Sequence, residues 1–441
     1  MTFKILPCAK RWNFPSVDFS TRMVRTCVRA YGPFVSREEV AAMGKNVFLN
    51  HPYMQKGREQ MLKGEYQNDC RGCYQFLENG HDGFRTPYQQ TLVELADSYG
   101  QSTEEFETNI KSTFDSKYLK SISAKELEIS FGNICDLMCV YCSSNYSSLI
   151  EAEDRKWNEN NLQFQRHSIE ENDDFISAFY QWLEEDSLGK LKIIHVIGGE
   201  TLFNSYFYVF MKKLDEIYRR SNFQHEIVMN VFSNLNHKSS VKKFISATRD
   251  MHPNFNFNLM FSNESTGKKA EMIRYGMSWK QVEENVQDIL KTPRINLGFA
   301  PSFNALSITS SLEFFWFIKN LHKQSNSKFF CGDNYISFPN GFSPFVLTAD
   351  FIPYIDETLK FLKTTGNTFL VDESVSRLII LFESFKNSIF NYKIAESKKV
   401  IEDRKDFFNQ INKLILRRNI DFAGTFPEYV KFYNDCDDSQ K

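Results

Sequence analysis

Between Lys125 and Pro339 short apolar runs alternate with amphipathic segments, and this alternation constrains the fold more than any other feature of the chain. The apolar runs are LEISFGN, KIIHVIGG, EIVMNVFSN, FNFNLMFSN, INLGFAPSFN and NYISFP. Between them lie DDFISAFYQWLEED, YFYVFMKKLDEIYRR, SVKKFISATRD, SWKQVEENVQDIL and SLEFFWFIKNLHK, each with apolar residues near helical spacing. Six strand candidates separated by five helices predict an α/β fold, a parallel sheet or partial (β/α)6 barrel of the TIM type.

The flanks read differently. Residues 1–124 are loop-rich and cysteine-bearing, with short helical patterns such as SREEVAAMGKNVFL and YQQTLVELADSYG. Residues 340–441 contain FIPYIDETLKFLKTT, SRLIILFESFKNSIF and KDFFNQINKLILRR, the pattern of a helical C-terminal extension. Three regions are therefore expected, 1–124, 125–339 and 340–441. The chain is long enough for two or three domains of ordinary size.

The balance of 53 basic and 55 acidic residues gives a net charge of -2, so no broad electrostatic footprint for nucleic acid is indicated. Aromatic residues make up 15%, with 43 phenylalanines, which argues against disorder and for large apolar interiors or an apolar pocket. The opening MTFKILPCAKRW has too short an apolar run for a signal peptide, and no window approaches the roughly 18 apolar residues of a spanning helix. A soluble cytoplasmic protein is expected.

In a reducing compartment, clustered cysteines more often hold metal or do redox chemistry than form disulfides. Seven of the nine fall in the first third: Cys8, Cys27, Cys70, Cys73, Cys135, Cys139 and Cys142. The last three stand in GNICDLMCVYCSSNYSS, directly after the first strand candidate, with spacing C-x3-C-x2-C. Loops after the strands of a parallel barrel form its active face. Three nearby thiolates there suit an iron–sulfur cluster whose fourth iron stays open to a small molecule. The competing reading is a structural zinc site completed by His167 or His195, or chance clustering.

The triplet, with Tyr141 as the aromatic before its last cysteine, resembles the signature of the radical S-adenosylmethionine (radical SAM) enzymes. Later strand ends fit the same resemblance. IGGETLF offers Gly198, Gly199 and Glu200, similar to the glycine-glycine-glutamate motif that holds the methionyl ammonium. Glycines there let backbone approach a ligand closely, and a carboxylate pairs with an ammonium. FSNLN offers Ser233 and Asn234, and FAPSFN offers Ser302 and Asn304, as polar contacts to the ligand. Read without the resemblance, a Gly-Gly-Glu is an ordinary turn and a Ser-Asn after a strand is a helix cap. The resemblance covers about Lys125 to Pro339. It implies a radical SAM barrel, a 4Fe–4S cluster with an open iron site, S-adenosylmethionine as co-substrate, and an electron donor of the flavodoxin or ferredoxin type.

A second resemblance covers the N-terminal region. MLKGEYQNDCRGCYQFLENGHDGFR, Met61 to Arg85, is similar to a motif of radical SAM proteins with a half-length auxiliary-cluster (twitch) domain. The matching residues are Cys70, Cys73, Glu78, Gly80 and Arg85. The stretch RYGMSWKQVEENV also resembles that subgroup. Cys8 and Cys27 would complete four ligands of a second iron–sulfur cluster. Departures are the single cysteine in RTCVRA and Gly83 where a serine is common, and from spacing alone the four would equally suit a structural zinc.

The implied function is hydrogen abstraction from a peptide or small-metabolite substrate. Cys331, in KFFCGDNY, could return a hydrogen atom to a substrate radical; its ordinary reading is a small buried core residue. Cys436, in the polar tail, reads as an exposed bystander. The alternative of a different class is a zinc-stabilised binding or scaffold protein in which both cysteine groups are structural.

Overall fold

A computed structural model describes the chain apart from residues 1–6, 29, 72, 75–85, 113–114, 122, 160, 164, 392–396 and 438–441. Glu78, Gly80, Gly83 and Arg85 of the N-terminal motif therefore lie outside the described residues. The strands, in chain order, are β1 (Ser16–Asp18), β2 (Met23–Arg25), β3 (Glu126–Ser130), β4 (Met138–Cys139), β5 (Ile193–Ile197), β6 (Ile227–Ser233), β7 (Phe255–Phe261), β8 (Arg274–Tyr275) and β9 (Ile295–Phe299). Seven of them form one mostly parallel sheet in the order β2-β1-β3-β5-β6-β7-β9, and β4 pairs with β8 separately. The fold is α/β, and the sheet is consistent with a partial barrel.

Burial along the strands explains why the runs form them. In β3, β5 and β6 alternate residues are buried: Leu127 and Ile129, Ile194 and Val196, then Ile227, Met229 and Val231. Parallel pairing sets Leu127 opposite Ile194 and Ile129 opposite Val196, so apolar side chains stack row on row. The helices expected between the runs form at Asp173–Trp182, Ser205–Arg220, Lys238–Asp250, Trp279–Leu290 and Ser311–Ser325. The C-terminal region is helical, with Ile352–Phe369, Asp372–Phe390 and Lys398–Arg418 as its long elements.

Two expectations about strands need correction. NYISFP forms no strand: Tyr335 makes an isolated parallel bridge to Phe303, beyond β9, and Cys331, just before the run, bridges Phe299 at the end of β9. Pro301 lies between the two bridges and has no N–H to donate, so a continuous ladder cannot form across it. At the other edge the sheet gains β1 and β2 from the region read as loop-rich. Each has three residues, too few for a period to register in the sequence. Their hairpin turn holds Arg22 at φ 59°, and its guanidinium forms a two-pronged ion pair with Asp174 at 2.7 and 2.8 Å.

The chain divides into two compact units. The first comprises Met1–Gly132, Leu162–Val231 and Asp250–Asn256; the second comprises Asn133–Asn161, Phe232–Arg249 and Phe257–Lys441. Phenylalanine fills both interiors. In the first unit Phe19, Phe48, Phe175, Phe179 and Trp182 pack ring against ring. In the second Phe299, Phe303, Phe314 and Phe382 do the same. Among the described residues no helix is long and apolar enough to cross a membrane.

Candidate functional site

In the second unit, the loop after β3 carries Cys135, Cys139 and Cys142, all half-buried and none in a disulfide. Its shape comes from the polar residues that follow the thiols. Ser147 caps the helix Ser148–Lys156, accepting the Ile150 N–H at 3.3 Å and donating to the Leu137 carbonyl at 2.7 Å. Ser148 Oγ accepts the Cys135 N–H at 3.2 Å, and Asn133 Nδ2 donates to the Ser144 carbonyl at 3.0 Å. The loop is thereby folded back on its own capping residues. In its middle Cys139 pairs with Arg274 across the β4–β8 ribbon, and the Cys142 N–H donates to the Cys139 carbonyl at 3.0 Å.

Asp136, next to Cys135, accepts from Asn234 Nδ2 at 2.8 Å and Asn236 Nδ2 at 2.9 Å. Ser233 Oγ accepts the Leu235 N–H at 3.0 Å. Ser233 and Asn234, which the resemblance assigns to a ligand, thus shape the turn after β6 and hold the thiol loop. Asn304 has a similar structural task. It caps the short helix Ala305–Ser310, its Oδ1 accepting from Leu306 N–H at 3.1 Å.

The residue that joins most of these pieces is Glu264, which sequence reasoning missed. Its side chain is fully enclosed. Oε2 pairs with Arg274 at 2.6 Å and accepts the Ser302 N–H at 3.3 Å; Oε1 accepts from the Tyr141 hydroxyl at 3.0 Å and from Asn304 Nδ2 at 3.5 Å. Tyr141, Ser302 and Asn304, three of the expected site residues, therefore converge on one carboxylate. The available signal was the repetition of Phe-Ser-Asn at two strand ends, FSNLN after β6 and FSNES after β7, which marks Glu264 as a strand-end acid.

Two guanidinium groups stand beside the thiols. Arg274 Nη1 lies 3.9 Å from Cys139 Sγ. Arg418, at the end of the helix Lys398–Arg418, donates to the Met138 carbonyl at 2.6 Å and pairs with both oxygens of Glu153 at 2.9 Å. Burial pushes the Cys139 thiol up to about 12 against the opposing pull of Arg274 and Arg418. Burial likewise raises Cys142, again opposed by both arginines. For Arg274 burial works against the charge, but Glu264, Tyr141 and Cys139 outweigh it and hold the guanidinium above its ordinary range.

In the first unit, Gly198 and Gly199 after β5 take positive φ, 94° and 45°. A Cβ on Gly198 would overlap Ser130 Oγ and come within 3.0 Å of the Gly132 carbonyl oxygen, so no side chain fits there. Glu200 is buried and caps the short helix Thr201–Phe203, accepting the Leu202 N–H at 3.0 Å.

Two of the N-terminal cysteines, Cys27 and Cys70, lie near Arg11. Cys8 and Cys27 are buried, Cys70 and Cys73 half-buried. The Arg11 guanidinium pairs with Asp69 at 2.9 Å and lies within electrostatic range of Cys70 and Cys27. Cys70 in turn lies within range of Cys73 and Cys8; burial pushes its thiol up to about 11, opposed by Arg11. Room for Arg11 exists because residue 57 is glycine: a Cβ there would overlap its Nη2.

Cys331, in the second unit, is fully buried; its N–H donates to Ser374 Oγ at 2.9 Å and burial raises its thiol strongly. Cys436 is buried as well, not exposed, because it ends a helix whose Phe432 packs against Phe351 and Phe407. His195, in the first unit, sits in β5 with Nε2 3.5 Å from Glu126 and Nδ1 3.3 Å from Asn230. The His167 N–H donates to the Ser20 carbonyl at 2.9 Å.

Among the described residues, no three of His, Cys, Asp and Glu stand as a group that could hold a metal ion. Thiols are the donor type that an iron–sulfur cluster takes, and both cysteine sets supply them. Each presents thiols free of disulfides with a guanidinium nearby, whose pull burial outweighs at Cys139, Cys142 and Cys70. The chain matches no protein-family model, and no curated protein matches it.

Proposed function

We propose that the chain is a radical SAM enzyme with a partial-barrel catalytic region and an auxiliary iron–sulfur cluster in its N-terminal region. The observation that carries this reading is the thiol loop: three half-buried thiols after a parallel strand, folded by their own capping residues and flanked by Arg274 and Arg418. Cys135, Cys139 and Cys142 would hold a 4Fe–4S cluster with one iron open, and Cys8, Cys27, Cys70 and Cys73 the second cluster. Bound there, the first cluster would supply the one-electron reduction that radical SAM chemistry needs, for hydrogen abstraction from a peptide or small-metabolite substrate.

The chain's own residues position and shield. Gly198 and Gly199 keep side chains out of the turn after β5, so a ligand can approach backbone. The Glu200 carboxylate suits an ammonium group. Asp136, Asn234 and Asn236 fix the thiol loop, and Glu264 holds Tyr141, Arg274 and Ser302 in one arrangement. The phenylalanine-rich interior excludes water from a reactive radical. An electron donor of the flavodoxin or ferredoxin type and a cytoplasmic setting complete the reading.

The test is a comparison of two variants after anaerobic reconstitution with iron and sulfide. C135A/C139A/C142A should lose about four irons and all S-adenosylmethionine cleavage; C70A/C73A should lose about four irons and keep cleavage. Zinc in place of iron in both sets would replace this reading with that of a zinc-stabilised scaffold.

A further inference from the structure

The C-terminal helices were expected as an extension, yet the last turn of Lys398–Arg418 is built into the thiol loop. Arg418 and Arg417 are adjacent, both nearly enclosed, at 5% and 4% side-chain exposure. Arg418 makes three separate attachments. Its Nη1 donates to the carbonyl of Met138, the residue before Cys139. Its Nε and Nη2 grip both oxygens of Glu153, on the helix that follows the thiols. Its own carbonyl accepts from the hydroxyl of Tyr275, the neighbour of Arg274 in β8, at 3.3 Å. Arg417 extends the grip, pairing with Asp154 at 3.0 Å and with Glu159.

We propose that Arg418 is a positioning residue for the metal site, a latch by which the C-terminal helix fixes the backbone of the thiol loop at Cys139. The inference rests on the radical-enzyme reading for what the loop holds, but the latch itself is a property of the metal-free chain. A planar guanidinium with donors pointing in several directions can bind a carboxylate at two points and a carbonyl at a third; an ammonium cannot reproduce that fork. The loop's other anchors, Ser147, Ser148 and Asp136, act before Cys139 or after Cys142 in the chain. Around Cys139 the loop is also held by the β4–β8 pair, by the Val140 N–H donating to the Ile273 carbonyl at 2.8 Å and by the Tyr141 hydroxyl on Glu264 at 3.0 Å; Arg418 is the tie from the C-terminal helix to this stretch, at the Met138 carbonyl.

The test uses the full chain without metal. Iodoacetamide labelling, read by mass spectrometry, should modify Cys139 and Cys142 about tenfold faster in R418A than in wild type, because a charge-assisted tie on the loop is gone. The Cys331 rate should stay unchanged. R418K should behave like R418A, since charge without the fork does not restore the latch. If R418A fails to fold, E153Q, which leaves the Met138 contact but weakens the grip, should give the same selective rise at smaller size. Reconstituted R418A should hold less than half the wild-type iron at the triplet. No selective rise, a rise shared by Cys331, or full rescue by lysine overturns the latch, as does iron loading equal to wild type. A wild-type protein that takes up no iron defeats the radical-enzyme reading instead, and the labelling result still decides the latch.

Discussion

Glu264 has no exposed surface, and four groups depend on its two oxygens. Removing it leaves the Arg274 guanidinium buried without its carboxylate, which costs about 3–5 kcal/mol in comparable cases. E264A should therefore lower the unfolding free energy from urea titration by an amount of that order, and E264Q, which keeps acceptor capacity for Tyr141 but not the charge, should fall between. A change below about 0.5 kcal/mol in E264A would show that Arg274 finds another partner. Gly198 makes a sharper steric claim. G198A forces a Cβ into Ser130 Oγ at φ 94°, so it should destabilise by about 1–3 kcal/mol, and adding S130A should recover part of that loss. Recovery would identify the Ser130 clash as part of the cause; no recovery would leave the cost to backbone strain and the close Gly132 carbonyl.

At the scale of elements, Glu428 illustrates how the C-terminal region is tied down. It lies in the middle of the short turn Pro427–Tyr429, and its carboxylate meets Lys269 on the helix Gly267–Ile273 and the Thr309 hydroxyl. Burial raises its pKa, but the bonds from Lys269 and Thr309 outweigh burial and hold it below the usual carboxylate range. A native value below the unfolded one means that the stabilisation is present above about pH 4.3 and is lost as pH falls through the lower native value. E428Q should therefore melt below wild type at pH 6, with the gap closing as the pH drops under about 4. A gap independent of pH would contradict the ion pair.

The same scale shows what a sequence exposes. Helices such as Asp173–Trp182 and Ser205–Arg220, and strands such as β6, were legible because five or more residues carry their period. β1 and β2 were not, being three residues each, and β1 joins the sheet beside β3, far along the chain. NYISFP had the composition of a strand, but Pro301 on the segment opposite removes a donor that no pattern within the run itself reveals.

For the whole molecule, the thiol triplet was readable because its spacing is local, whereas its support is not. Asp136 reaches Asn234 and Asn236, and Arg418 lies 280 residues from the carbonyl it holds. Glu264 and Arg274 are ten residues apart, yet only the fold reveals that Tyr141 and Ser302 share them. The residues expected to touch a ligand were named by strand-end position. In the structure Ser233 and Asn234 bond within their own turn, and Ser302 and Asn304 bond to Glu264.

The most direct test of the central claim is anaerobic. The protein is reconstituted with iron and sulfide, reduced with dithionite and given S-adenosylmethionine, and 5'-deoxyadenosine is measured alongside iron per chain. The account predicts 5'-deoxyadenosine formation with iron near that of two cubane clusters, about eight. A colourless protein that retains zinc and yields no 5'-deoxyadenosine would contradict it.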